Sequence, residues 1–291
     1  MKRIPAEYVY RAGAVLGEGP AWDEERQSLW WVDIERCAVH QFLPAAAEDY
    51  AWLLPQRVSF VIPAERGDFV VGTQRGIGRF DMRFGAFTPV VDPECDWPCN
   101  RFNDAKCDAA GRLWAGTMEV SEMPDLGSLY CIDAAWNVTR HLERVSISNG
   151  LAWSLDGGTM YFIDSPTQCV DAFDFDAESG ALSNRRTVLE ITDAFPDGMC
   201  LDARGNLWIA LWGGWGVLCL DPRTGRKIAK VEVPVRDVTS CCFGGKDFAD
   251  LYITTASRDL DAAGRTEQPL AGGIFRAQPG VRGLATRQFA G

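Results

Sequence analysis

The sequence predicts an all-β chain folded as a six-bladed β-propeller around a central channel, and three observations carry that prediction. Short apolar runs bounded by Gly and Asp turns recur along the whole chain, while long helical periodicity is missing. Overlaid, these runs resolve into one unit of turn, apolar strand, short link and second strand, often ending in Asp. Six copies follow one another at a spacing close to that of propeller blades, about 40–50 residues.

The copies, in order, are "DEERQSLWWVDIERCAVHQF", "AERGDFVVGTQRGIGRFD", "DAAGRLWAGT" continued by "GSLYCID", "SLDGGTMYFIDSPTQCVDAFDFD", "DARGNLWIALWGGWGVLCLD", and "GKDFADLYITT" continued by "GGIFRAQ". Anchored on Leu29, Phe69, Leu113, Met160, Leu207 and Leu251, they lie 40, 44, 47, 47 and 44 residues apart. A β-sandwich would not carry so long a repeating unit. The repeats therefore predict one domain over residues 1–291. Ring closure requires both termini to share a blade, and "EYVYRAG" near the start is the segment expected to pair with the sixth copy.

The 291 residues are 47% hydrophobic, enough for a full core, and no run approaches the roughly 18–20 apolar residues of a membrane span. In "MKRIPAEYVYRAG", Pro5, Glu7 and Arg11 interrupt any apolar stretch behind the two leading cations. The expectation is a soluble, cytoplasmic protein without a secretory signal and without a membrane partner. A formal charge of −11 with no Lys/Arg cluster speaks against nucleic acid as a partner. Several of the ten cysteines, such as Cys200, Cys219, Cys241 and Cys242, sit inside apolar runs, where a free thiol packs as a small hydrophobe. Cys95 and Cys99 in "CDWPC" have no second Cys or His pair at zinc-site spacing nearby and read as a loop. The two histidines, His40 and His141, lie in no catalytic or metal frame, so a Ser-His-Asp or Cys-His mechanism has almost no base to use. "TRHLERV" around His141 reads as an outer strand. Trp30, Trp31, Trp114 and Trp208 fall on strand positions and read as blade packing, as do Trp212 and Trp215 in "LWGGWG".

Ten or eleven residues before the anchors stand Glu18, Ser59, Asn103, Asn149, Asp197 and Ser240. Equivalent positions of a propeller repeat converge at one mouth of the channel. Asn-Gly and Asp-Gly pairs form turns wherever they occur. Two carboxylates and two amides gathered at one place in a ring call for more. Crowded carboxylates in a dry channel titrate upward unless a positive partner compensates, and a divalent cation is the simplest one. Glu18, Asn149 and Asp197 offer hard oxygen donors suited to Ca²⁺, Mg²⁺ or Mn²⁺ and permissive for Fe²⁺ or Zn²⁺.

The blocks "GEGP", "RFND" with "GRLWAGTM", "SNGLAWSLDGGTMYFID" and "PDGMCLDARGNLWIALWGG" resemble the senescence-marker-protein/gluconolactonase/luciferin-regenerating-enzyme family over essentially the whole chain. The resemblance implies a mononuclear divalent metal and hydrolysis of sugar lactones. It places Glu18, Asn149 and Asp197 as metal ligands, and Arg101 and Asn103 at substrate. One departure stands out. In "GTMEVSEMPDLGSLY", Ser121 occupies the place of the family's sugar-binding acid, with Glu119 and Glu122 on either side.

The reaction expected is attack of water on a 1,4- or 1,5-aldonolactone carbonyl, with a divalent cation as Lewis acid and Asp197 orienting and deprotonating the water. Arg101 and Asn103 would hold sugar hydroxyls, and Asp104 would brace Arg101 or accept from the sugar. The Glu119–Leu126 loop is long enough to lean over the channel, which brings Glu119 and Glu122 into the candidate substrate site. Two other readings use the same residues: an organophosphate or aryl-ester hydrolase, and a non-catalytic metal-binding propeller.

Overall fold

The computed structural model describes residues 1–65 and 67–291. Its strands form six sheets; four of them follow chain order, and the other two add an N-terminal strand at the outer edge. The first strands are Gly17–Asp23, Val58–Pro63, Asn100–Cys107, Ser148–Trp153, Phe195–Leu201 and Val238–Gly244, which begin blades one to six. Each packs against the first strand of the blades before and after it, and blade six packs against blade one, so the ring closes on itself.

Closure uses the N-terminus as expected. Glu7–Tyr10 pairs antiparallel with Ile274–Ala277 as the outermost strand of blade six. One addition lay beyond the repeat pattern: Lys2–Pro5 pairs parallel with Arg226–Glu232, giving blade five a fifth strand. A short helix, Ala262–Glu267, interrupts the link between the last two strands of blade six, capped by Asp261 accepting from Gly264 N. Among the described residues, no helix is long and apolar enough to cross a membrane.

Alternation within each strand sends one row of side chains to each face, and adjacent blades pack these rows together. Trp30, Trp31, Trp114 and Trp208 are all buried there. The polar residues of the repeat have structural uses. In "DAAGRLW" and "DARGNLW", Asp108 accepts from Trp114 Nε1 and Asp202 from Trp208 Nε1, both at 3.0 Å, while each also caps the backbone of its own turn. The aspartates that close second strands do another job. Asp33 accepts from Val15 N and Leu16 N, and Asp164 from Ser146 N and Ile147 N. They staple the segment leading into the inner strand of their own blade, which fixes where the channel mouth begins.

The mouth has a second common feature. Every inner strand shifts register against its neighbour near its start, at Glu18/Ala21, Val58/Phe60, Phe102/Ala105, Ser148/Leu151, Pro196/Met199 and Val238/Ser240. A bulge bends a strand and re-aims a side chain. Six such shifts, one per blade, stand at the residues that face the axis.

Candidate active site

The register shifts open onto a cavity of about 300 Å³ whose wall includes Glu18, Arg101, Asn103, Asn149, Asp197 and Glu122. These six come from blades one, three, four and five, so the ring assembles what the sequence spreads over 180 residues.

Hydrogen bonds knit the polar members into a chain. Arg101 Nη1 donates to Asn103 Oδ1 at 2.6 Å and to Phe102 O at 2.9 Å. Asn103 Nδ2 donates to Asn149 Oδ1 at 3.0 Å and to Ser148 O at 2.8 Å. Asn149 Nδ2 donates to Ser165 Oγ at 2.8 Å, and that hydroxyl donates to Pro196 O at 2.6 Å. The amide of Asn149 is thereby fixed in orientation, its nitrogen toward Ser165 and its oxygen toward Asn103.

The carboxylates are less well provided for. Glu18 Oε2 accepts from Gly19 N at 2.8 Å, while Asp197 Oδ1 is buried with no hydrogen-bond partner. Burial pushes the Glu18 carboxyl up to about 8, with the Asp104 charge adding to the effect. Burial, then the charges of Glu18 and Asp104, hold Asp197 well above the usual carboxylate range. Arg101 is buried as well, which lowers it to about 10 and leaves it cationic at neutral pH.

This donor set suits a divalent cation. Two buried carboxylates repel one another, one of their oxygens is orphaned, and an amide oxygen of the same cavity wall is held in fixed orientation by Asn103. Among the described residues, no three His, Cys, Asp or Glu side chains form a metal-binding group. Two acids plus the amide of Asn149 are therefore the set that would hold a hard cation here.

Other expected residues lie elsewhere. Asp104 is not part of the cavity wall, and the brace to Arg101 does not form: Asp104 accepts from Ala105 N at 2.7 Å while Arg101 turns to Phe102 and Asn103. Arg101 and Asn103 are two residues apart and share a side, whereas Asp104 reaches the site only through its charge. Glu119 is buried outside the wall, its carboxylate accepting from Ser121 N and Met123 N, so it shapes the loop from within. Glu122 does line the cavity. Trp212 packs against a hydrophobic core cluster as expected, and it also lines the cavity. It pairs across the strands with Phe195 at the mouth end of blade five, and both rings line the cavity. Trp215, in the left-handed region at φ 56°, is turned out to solvent.

Sequence reasoning passed over Arg258 and Asp259, which lie in the blade-six link, and Ser165 and Pro166, which follow the second strand of blade four. The signal for the first pair was the length of that link, residues 256–273, which exceeds the corresponding link of every other blade, including 120–126 in blade three.

A protein-family model described as SMP-30/Gluconolactonase/LRE-like region matches residues 16–257. Regucalcin of Gallus gallus is 42% identical over 284 residues, covering 95% of each chain. Regucalcin of Danio rerio is 39% identical over 296 residues, covering 100% of both chains. Among solved structures, a luciferin-regenerating enzyme matches with a TM-score of 0.93 and 33% identity, over 98% of this chain and 99% of that one. A calcium-binding protein, regucalcin, from Agrobacterium tumefaciens matches with a TM-score of 0.95 and 28% identity, over 99% of each. With the family model spanning most of the ring and curated relatives aligned from end to end, the chain belongs to the SMP-30/gluconolactonase/LRE-like family.

Proposed function

We propose that the chain hydrolyses the lactone of a sugar acid, a 1,4- or 1,5-aldonolactone, to the open aldonic acid, with a divalent cation held by Glu18, Asn149 and Asp197. The observation that carries this reading is the buried, unpartnered Oδ1 of Asp197 beside a second buried carboxylate, in a cavity that also contains a buried arginine. Family membership supports lactone hydrolysis as the reaction class.

When bound, the cation supplies Lewis-acid polarisation of the carbonyl and acidifies water. The residues do the rest. Asp197 orients the attacking water and takes its proton, for which a carboxylate in a dry site is a better base than an exposed one. The same group returns the proton to the ring oxygen as the acyl C–O bond breaks, which leaves a carboxylic acid and an alcohol. Arg101, anchored through one nitrogen, offers its remaining N–H groups to sugar hydroxyls. Both amide hydrogens of Asn103 are engaged, so it takes a hydroxyl through the free lone pair of Oδ1 and passes the orientation of Arg101 on to Asn149. Phe195 and Trp212 form a wall for the C–H face of the ring.

That apolar wall also favours a second substrate class. Leu16, Met118, Ile147, Phe195 and Trp212 would accept an aryl group, so aryl esters and phosphotriesters belong in the test.

The test is hydrolysis of an aldonolactone panel, an aryl ester and an aryl phosphotriester by chelator-stripped protein, each divalent ion being added back in turn. Spontaneous opening is subtracted and cation binding is followed by calorimetry. The expected result is a rate that drops to background on stripping and returns with at least one ion. A stripped protein that retains its full rate overturns the proposal.

A further inference from the structure

Blades three and six lie opposite one another in a ring of six, yet a side chain of each meets at the cavity. Arg258 Nη2, from the blade-six link, donates to Glu122 Oε1 of the blade-three loop at 2.8 Å, although the two residues are 136 apart in sequence. A contact between opposite blades has to pass over the channel mouth. Both residues line the cavity, and so does Trp212 of blade five, over whose ring the Arg258 guanidinium lies at 5.3 Å. Nε of the same guanidinium donates to Asp259 Oδ1 at 3.2 Å. One cation therefore gathers contributions from three blades.

The loop is built to present Glu122. Glu119 pins its base by accepting from Ser121 N and Met123 N, and Glu122 N closes a turn onto Glu119 O. At the far end, Ser146 Oγ accepts from Asp125 N and Arg144 pairs with Asp125 at 3.3 Å. Glu122 itself holds φ 63°, a left-handed conformation that a Glu keeps only where its surroundings impose it. The outer contact that completes those surroundings is Arg258.

We infer that Arg258 is a positioning residue that latches the blade-three loop across the mouth, holding Glu122 over bound substrate. The inference takes the site to be the substrate site proposed above. The latch is partly exposed, with Arg258 and Glu122 side chains 29% and 41% accessible, so it is sensitive to salt and can open to admit substrate.

Two measurements test it. Amide hydrogen exchange over residues 120–126 reads the latch without any substrate: Arg258→Ala should speed exchange there, Arg258→Lys should do so less, and the rest of blade three should be unmoved. Kinetics on whichever lactone is hydrolysed reads the consequence. Arg258→Ala should raise KM about two- to fivefold with kcat within twofold, as expected for losing one partly exposed ion pair. Arg258→Glu should raise it further by setting three acids together, and the exchanged pair Glu122→Arg/Arg258→Glu, which removes the acid from over the substrate, should slow amide exchange over 120–126 again without restoring KM. Added salt should raise KM in the native protein and leave it flat in Arg258→Ala. Unchanged exchange over 120–126 in both Arg258→Ala and Arg258→Glu overturns the latch, as does a charge-exchanged pair whose exchange over 120–126 is no slower than that of Arg258→Glu alone. If the native protein opens no lactone, the substrate reading fails, and the exchange measurement still decides the latch.

Discussion

The two ends of the inner strands treat buried carboxylates in opposite ways. At the base turns, Asp108 is met by four donated hydrogen bonds and Asp202 by five, from turn backbone, a neighbouring side chain and a tryptophan indole. At the mouth, Asp197 is also buried, sits near Glu18, and leaves one oxygen with nothing. Folding alone favours the first arrangement, because an unpaired buried polar atom costs about 1–3 kcal/mol. The second carries that cost, and this is why the proposed function puts its cation there.

The sharpest way to break this contrast is to neutralise one acid at each end. Asp197→Asn should lower hydrolysis by about 10²- to 10⁴-fold, the usual worth of a positioned general base. The cation-free variant should melt no lower than the native protein, because the change removes a charge that burial and its neighbours oppose. Thermal melts and initial rates on the same preparations check both halves. A large fall in melting temperature would make Asp197 a structural residue of the base-turn kind.

Asp202→Ala should do the reverse. It strands the Trp208 indole and the N–H groups of Arg204 and Asn206, so stability should fall by about 2–4 kcal/mol in denaturant unfolding. Activity per folded molecule and KM should hold, since the turn lies at the far end of the strand from the cavity.

This contrast also accounts for what the sequence disclosed. Residues shared by the repeats, such as the Asp of "DAAGRLW" and "DARGNLW" or the closing Asp33 and Asp164, serve the blades, and their recurrence revealed the fold. Residues that differ at equivalent positions, Glu18, Asn103, Asn149 and Asp197 against Ser59 and Ser240, serve the cavity, and their convergence was legible once the ring was drawn. Arg258 and Trp212 were not. Their roles depend on what a long link and the mouth end of a blade-five strand present to the cavity, which the blade repeat does not report. Asp104 misled for a related reason: adjacency in "RFND" suggests contact with Arg101, but the register shift between Phe102 and Ala105 decides which side chains meet.

A third prediction probes the spacing between blades at the mouth. A Cβ on Gly150 would lie 2.7 Å from Asp197 O and 2.7 Å from Met199 Cγ, so blades four and five approach there as closely as a glycine permits. Gly150→Ala should destabilise the protein by about 1–3 kcal/mol and push Asn149 away from Asp197. Calorimetry should then show weaker cation binding. Unaltered affinity in a destabilised protein would separate packing from the donor geometry.

The smallest expected effect belongs to His141, on the outer strand Val138–Val145, far from any site chemistry. Its ring packs 4.6 Å from that of Trp114, and half-burial, with the Arg112 charge second, lowers its pKa below the ordinary histidine value. A depressed folded pKa means the neutral ring is the one that fits. Its contribution is complete above the unfolded value of about 6.5 and is lost as pH falls through the folded value. The native protein should therefore lose a small increment of melting temperature from this group on acidification, because solvent screens a half-exposed ring. His141→Phe keeps the stacking on Trp114 without the titration and should remove that increment. Lactone hydrolysis should keep the same pH profile in both proteins, because a packed outer-strand histidine has no proton to give the reaction. A profile that moved with His141→Phe would tie blade three's outer edge to the cavity and blur the division between framework and site.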